Sequence, residues 1–346
     1  MKHSLKLTII LIVAFLISQL IGLAVISSYD HYFGKTHEKI VNESIEKNIS
    51  LPEQPDVTVI QVTPPPIETN NPIDLIKIIL NVLIAIVLGI FFFFLLAKIG
   101  IVPVLKGWFA LVIFLCLSIA FTLLLYPLMG LNLITLFGVK FSLAEVIAVP
   151  LAFVIMIFKV FKRQFLVHNI SELFVYPGFA IVLLPILNVV TATALMLAIS
   201  IYDIVAVWRS NYMVNLAKFQ VQHVKIFAGF FIPYVKKEDR AKVQAAKVML
   251  KKAKNKKLAE SKLGKIRVRV AALGGGDVAI PMLFLGAIFL AYGLLGYFIT
   301  LFFVLASLTY LLVTAKDKAY PAMPFLSVGA LVGFFVFLFV KLIFGI

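Results

Sequence analysis

Two aspartates lie in stretches that otherwise read as lipid-soluble. Asp203 sits among Ile201, Tyr202, Ile204 and Val205, and Asp277 follows Gly274-Gly275-Gly276 at the head of the apolar run 277–295. An ionisable side chain at membrane depth costs roughly 2.5–3.5 kcal/mol on insertion scales, so it marks a candidate functional site. Asp203 is six residues before Arg209, and Asp277 is eight residues after Arg269. At about 1.5 Å per helical residue these are depths of about 9 Å and about 12 Å from one membrane face. Two helices joined by a single loop can therefore present both carboxylates at one level. Such a pair cannot ionise twice cheaply and shares a proton. One member can then act as general base on a water while the other donates to a carbonyl oxygen, the proton traffic of peptide hydrolysis. The bland alternatives are two separate helix-to-helix hydrogen bonds, or a proton path.

The neighbouring residues favour chemistry. Gly274 and Gly276 strip side chains from the approach to Asp277 and leave room for another backbone and for water. Pro281 has no N–H, so the Asp277 carbonyl lacks its usual helical donor. Tyr202, next to Asp203, offers a hydroxyl that can orient substrate or a carboxylate.

Composition requires that these residues be carried by membrane helices. Of 346 residues, 62% are hydrophobic and only 14% charged, far from the balance of a soluble domain. The fold class expected is an all-α polytopic membrane protein at the cell membrane. Nine apolar runs are long enough to span, near 7–27, 75–97, 108–127, 143–161, 171–188, 191–208, 275–294, 296–314 and 322–344. With the N-terminus cytoplasmic, alternating spans put most of the 32 basic residues inside and leave the C-terminus extracytoplasmic. The first run reads as a retained anchor, because no small-residue cleavage site follows it. Three regions result: spans one to six over 1–208 with an external loop at 29–72, a basic cytoplasmic loop at 209–270, and spans seven to nine over 271–346.

The net charge of +16 comes mainly from that basic loop, where 17 Lys and Arg meet three acids. A basic block between spans is a topology determinant and a binder of anionic lipid headgroups, and no nucleic-acid partner is expected. Within it, 241–257 reads as a basic amphipathic helix on the inner membrane surface. Residues 265–270 alternate polar and apolar, as a short strand does. The external loop is acidic, ends in Pro64-Pro65-Pro66 and carries two glycosylation-type sequons, at Asn42 and Asn48. Cys116 is expected to be a small core residue. Glu145 and Glu172 are placed at span ends in reach of water. His3, His31, His37, His168 and His223 all fall outside the spans. No H-E-x-x-H is present for an intramembrane zinc enzyme, and no G-x-S-x-G or membrane histidine for a serine hydrolase. No metal or organic cofactor is expected.

Ile201-Tyr202-Asp203, Gly274-Gly275-Gly276-Asp277 and Pro321-Ala322-Met323 resemble, in order, the YD, GxGD and PAL motifs of presenilins and signal peptide peptidases. The resemblance covers about residue 170 to the C-terminus. It implies an intramembrane aspartyl protease with Asp203 and Asp277 as catalytic dyad, and with Pro321, Ala322 and Met323 shaping the active site. Transmembrane proteins or signal peptides are the implied substrates. Met323 stands where the family usually has Leu, a swap that conserves volume. The resemblance also suggests that the strand ahead of Asp277 pairs with an unwound substrate segment. The rival readings are a proton-coupled transporter or channel, and a prepilin-type GxGD peptidase, which has fewer spans.

Overall fold

The computed structural model describes residues 5–46, 102–129, 133–136, 139–162, 164–209, 228–234, 269–314 and 320–345, with single helical positions at 77, 80, 81, 84 and 88. Its helices are α1 (Leu5–Glu46), α2 (Val102–Met129), α3 (Leu143–Ile157), α4 (Phe165–Leu183), α5 (Val189–Ile204), α6 (Gly275–Thr314) and α7 (Met323–Phe344). A π turn, Phe158–Lys162, extends α3, and a second, Val205–Arg209, extends α5. Two antiparallel hairpins accompany them: β1 (Leu133–Leu136) with β2 (Val139–Ser142), and β3 (Gly229–Tyr234) with β4 (Arg269–Gly274).

Among the described residues, seven helices are long and apolar enough to cross a membrane. One of them, α6, is two helical segments meeting at Gly293, whose φ of 75° is left-handed and suits glycine. That break falls where the sequence separates the runs 275–294 and 296–314. The expected run 75–97 and the basic helix 241–257 lie outside the described residues apart from those single positions. Two boundaries differ from expectation. Helix α1 continues to Glu46, into the segment read as external loop. Helix α4 begins at Phe165, six residues before the expected start, which brings His168 into a membrane-length helix and moves Glu172 from its end to its eighth position.

Local chemistry sets several of the ends. Ser142 and Glu145 form a reciprocal capping box at the start of α3, and Asn188 with Thr191 does the same for α5. Glu145 is therefore a helix-capping residue. The main core joins α1, α4, α5, α6 and α7 with Phe230 and Leu273 of the second hairpin, and a satellite core joins α2 to α3. Small residues allow the closest crossings. A Cβ at Gly178 would sit 1.9 Å from the Cys116 carbonyl oxygen, so α2 and α4 touch backbone to side-chain-free backbone there. Cys116 is buried at that crossing, as expected for a core residue. The first half of α6, from Val278 to Ile288, is enclosed on nearly all sides, which holds the residue preceding it in a fixed frame. Outward faces carry Ile201, Phe302, Val328, Phe339 and Leu342, large apolar side chains suited to lipid contact.

Candidate active site

Each aspartate is met by a helix start, Asp277 by its own and Asp203 by that of α7. Gly274 ends β4, Gly275 opens α6, and Asp277 is its third residue. From that position the carboxylate accepts a hydrogen bond from the Gly274 N–H, half of a capping box. A Cβ on Gly274 would lie 3.0 Å from Asp277 Oδ2, so a bare backbone is what lets the carboxylate close over the turn. Asp203, in the last turn of α5, is buried. Its Oδ2 accepts from the Met323 N–H at 3.1 Å, and the Ala322 N–H also bonds the carboxylate. Unpaired N–H groups at a helix start carry a partial positive charge. The first turn of α7 thus cradles Asp203 as the first turn of α6 cradles Asp277. The two side chains lie within charge–charge range of each other.

The other expected residues fall around this pair in different ways. Pro321 and Met323 are buried and Ala322 is half-buried, so the tripeptide forms the entry to α7. Its contribution to Asp203 is made by backbone, which explains why Met323 can replace Leu. Gly276 is exposed with open space around its Cα, consistent with room at the helix start. Gly275 is tighter: a Cβ there would meet Tyr176 at 3.1 Å and the Ala228 carbonyl at 3.4 Å. Tyr202 is exposed at 39%, on the outer side of α5, though within charge range of Asp203. Higher on the same helices, the Ser200 and Ser327 hydroxyls meet at 2.5 Å and lock α5 to α7 one turn from Asp203.

The sequence reading missed a polar group beside the site. Glu172, expected at a span end in reach of water, and His168, expected outside the spans, are both buried on α4. Lys159 Nζ donates to Glu172 Oε1 at 2.8 Å, with both side chains at most 3% exposed. His168 Nε2 lies 3.7 Å from the same oxygen and 2.9 Å from the Gly229 carbonyl, to which it must donate. Tyr176, one turn beyond Glu172, has a buried hydroxyl within charge range of both Glu172 and Asp277. Gln19 of α1 donates to the Val278 carbonyl at 3.0 Å, just after the second aspartate. A usable signal was present in the i, i+4 spacing of His168 and Glu172. The misplaced helix start hid it.

Comparisons with known proteins bear on the family and the fold. Residues 128–343, more than half of the chain, match the family described as signal-peptide peptidase, presenilin aspartyl protease. Two solved structures, both of a presenilin family intramembrane aspartate protease, share the fold. The one in the C222 space group superposes with a TM-score of 0.56 at 15% identity, covering 96% of this chain and 99% of that one. The one in the P2 space group gives 0.53 at 15% identity, covering 95% and 96%. No curated protein matches the sequence at a significant level. With three motifs in order, a full-length fold match and a family match over most of its length, the chain belongs to the signal-peptide peptidase and presenilin family of intramembrane aspartyl proteases, multi-pass membrane enzymes.

Proposed function

We propose that this enzyme is an endopeptidase that cuts peptide bonds within or beside the transmembrane segments of other membrane proteins, signal peptides included, with Asp203 and Asp277 as the catalytic pair. The observation that carries this reading is the convergence of the two carboxylates, each met by N–H groups of a separate helix start. The pair holds one proton between its two acids. The ionised member takes a proton from a water as the water oxygen attacks the scissile carbonyl carbon. The protonated member donates to the carbonyl oxygen, giving a tetrahedral diol. Collapse of the diol breaks the C–N bond, a proton passes to the leaving amine, and the pair returns to its starting protonation. No metal or organic cofactor takes part.

The topology that suits this chemistry has nine spans, a cytoplasmic N-terminus and an extracytoplasmic C-terminus. The basic loop 209–270 then lies against anionic lipid headgroups, and the preferred substrates are spans running N-terminus out, C-terminus in. Peptide bonds in a helix are shielded by their own hydrogen bonds, so the substrate must unwind before attack. Strand β4 leads directly into Asp277 and offers an edge on which an unwound segment can be held. The test is incubation of the purified protein in detergent with a single-span substrate. The wild type is expected to yield two fragments cut inside or next to the span, and Asp203→Ala and Asp277→Ala each to lower the rate by at least about a thousandfold. Undiminished proteolysis by either variant overturns the assignment.

A further inference from the structure

The polar face of α4 grips one edge of the hairpin that leads into Asp277. Asn169 takes both backbone groups of Phe231: its Nδ2 donates to the carbonyl at 3.1 Å, and its Oδ1 accepts from the N–H at 3.0 Å. His168 Nε2 donates to the Gly229 carbonyl at 2.9 Å. In an antiparallel pair the backbone groups of successive residues point alternately toward and away from the partner strand. Gly229 and Phe231 therefore turn theirs away from β4. The register agrees, since the Gly275 N–H donates to the Ala228 carbonyl at 3.2 Å, one residue out of phase with Gly229. The next outward residue on β3 is Pro233, which has no N–H to offer. Asn169, His168 and Pro233 together close that edge of the sheet. On β4 the same alternation turns the backbone groups of Val270 and Ala272 outward, while the Gly274 N–H is taken by Asp277.

The grip is braced from behind. Glu172 Oε1 accepts from Lys159 Nζ at 2.8 Å and lies 3.7 Å from His168 Nε2. Phe165 and His168 also pack edge-on against the Phe231 ring, at 5.3 and 5.5 Å between centroids. An ion pair buried among apolar helices must overcome a heavy desolvation cost, so helix packing alone is a poor reason for it to be there. A device that fixes the orientation of a strand edge is a better one.

We propose that His168 and Asn169 are positioning residues for proteolysis. Braced by the Lys159–Glu172 pair, they close the outer edge of β3. Among the described residues the hairpin keeps a single open edge, on β4, and a substrate strand can add there in one register. That register sets which peptide bond reaches Asp203 and Asp277. The inference rests on the reading of β4 as the substrate-holding edge.

The test uses the full-length protein in detergent with a single-span substrate, following initial rate, product masses and the midpoint of thermal unfolding. Asn169→Ala and His168→Leu are expected to cleave on the order of tenfold more slowly. Their cuts should spread to bonds beside the wild-type site, with the unfolding midpoint close to wild type. His168→Gln keeps a donor near the Nε2 position and is expected to restore the single cut. Should Asn169→Ala fail to fold, Asn169→Asp, which retains the acceptor and loses the donor, takes its place. Wild-type cut positions in the folded Asn169 and His168→Leu variants, at any rate of cleavage, overturn the proposal. A wild type that cleaves nothing would instead overturn the assignment of function on which it rests.

Discussion

Asp203 is held by amide hydrogens of the main chain, and that makes its environment robust to side-chain change. The Met323 N–H reaches its carboxylate at 3.1 Å, and the Met323 side chain only fills the buried space behind. Met323→Leu is thus expected to cleave within about twofold of wild type, because volume and donor both survive. Met323→Pro removes the donor together with the buried Met side chain, at a first-turn position where proline is tolerated, and is expected to cost on the order of tenfold in rate. Initial rates on one substrate decide the matter, and equal losses from both substitutions would show that the side chain matters more than the N–H. At this scale the sequence was most informative for residues that contradict their surroundings. Asp203 and Asp277 stand out because no other charged residue lies in their apolar runs. Lys159, Glu172 and His168 did not stand out, because each lay near an assumed helix end where charge is ordinary. Lys159 meets Glu172 only because the end of α3 packs against α4, and the i, i+4 spacing of His168 and Glu172 shows only once α4 is seen to begin at Phe165.

At the scale of elements, the informative junction is β4 into α6. The alternation over 265–270 signals a strand; its last two residues lie in the strand Arg269–Gly274, and 265–268 lie outside the described residues. The strand runs on past the alternation for a physical reason: Ala271, Ala272 and Leu273 carry no polar–apolar alternation to read, and their extended form is imposed by pairing with β3. That partner lies across the loop from Tyr234 to Arg269, beyond the reach of local pattern. Gly229 at its start takes a φ of 146°, which side chains rarely adopt. Hairpin β1–β2 went unforeseen for the same reason, since an isolated run such as Leu133–Leu136 reads only as apolar. The pairing itself makes a prediction. The Ala272 N–H faces away from β3 and the Ala271 N–H faces it. Ala272→Pro is therefore expected to abolish cleavage at little cost to thermal stability. Ala271→Pro should lower the unfolding midpoint as well. Unimpaired cleavage by a folded Ala272→Pro protein would rule out β4 as the substrate edge.

For the whole molecule, helix packing exists to hold two helix starts against each other deep in an apolar body. Among the described elements, helices α6 and α7 make the most extensive contact, and α5 packs against both. The Ser200–Ser327 hydrogen bond and the Ser307 hydroxyl bonded to the Phe325 carbonyl tie α5, α6 and α7 together just above the aspartates. Composition alone announced a polytopic helical membrane protein, and Gly293 breaks α6 close to where two spans were expected to meet. If the two acids work as one unit around a shared proton, cleavage rate plotted against pH should rise and fall, with the two limbs belonging to the pair. Asp203→Asn and Asp277→Asn should each flatten the profile at background rate, whereas a single sigmoid limb in the wild type would point to one acid acting alone. The most direct measurement is an experimental structure of the wild-type enzyme with a peptide carrying a hydroxyl in place of the scissile carbonyl. That hydroxyl should lie within hydrogen-bond distance of both the Asp203 and the Asp277 carboxylates, beside a peptide strand laid along β4. Carboxylates turned toward different helices, with the hydroxyl touching neither, would contradict it.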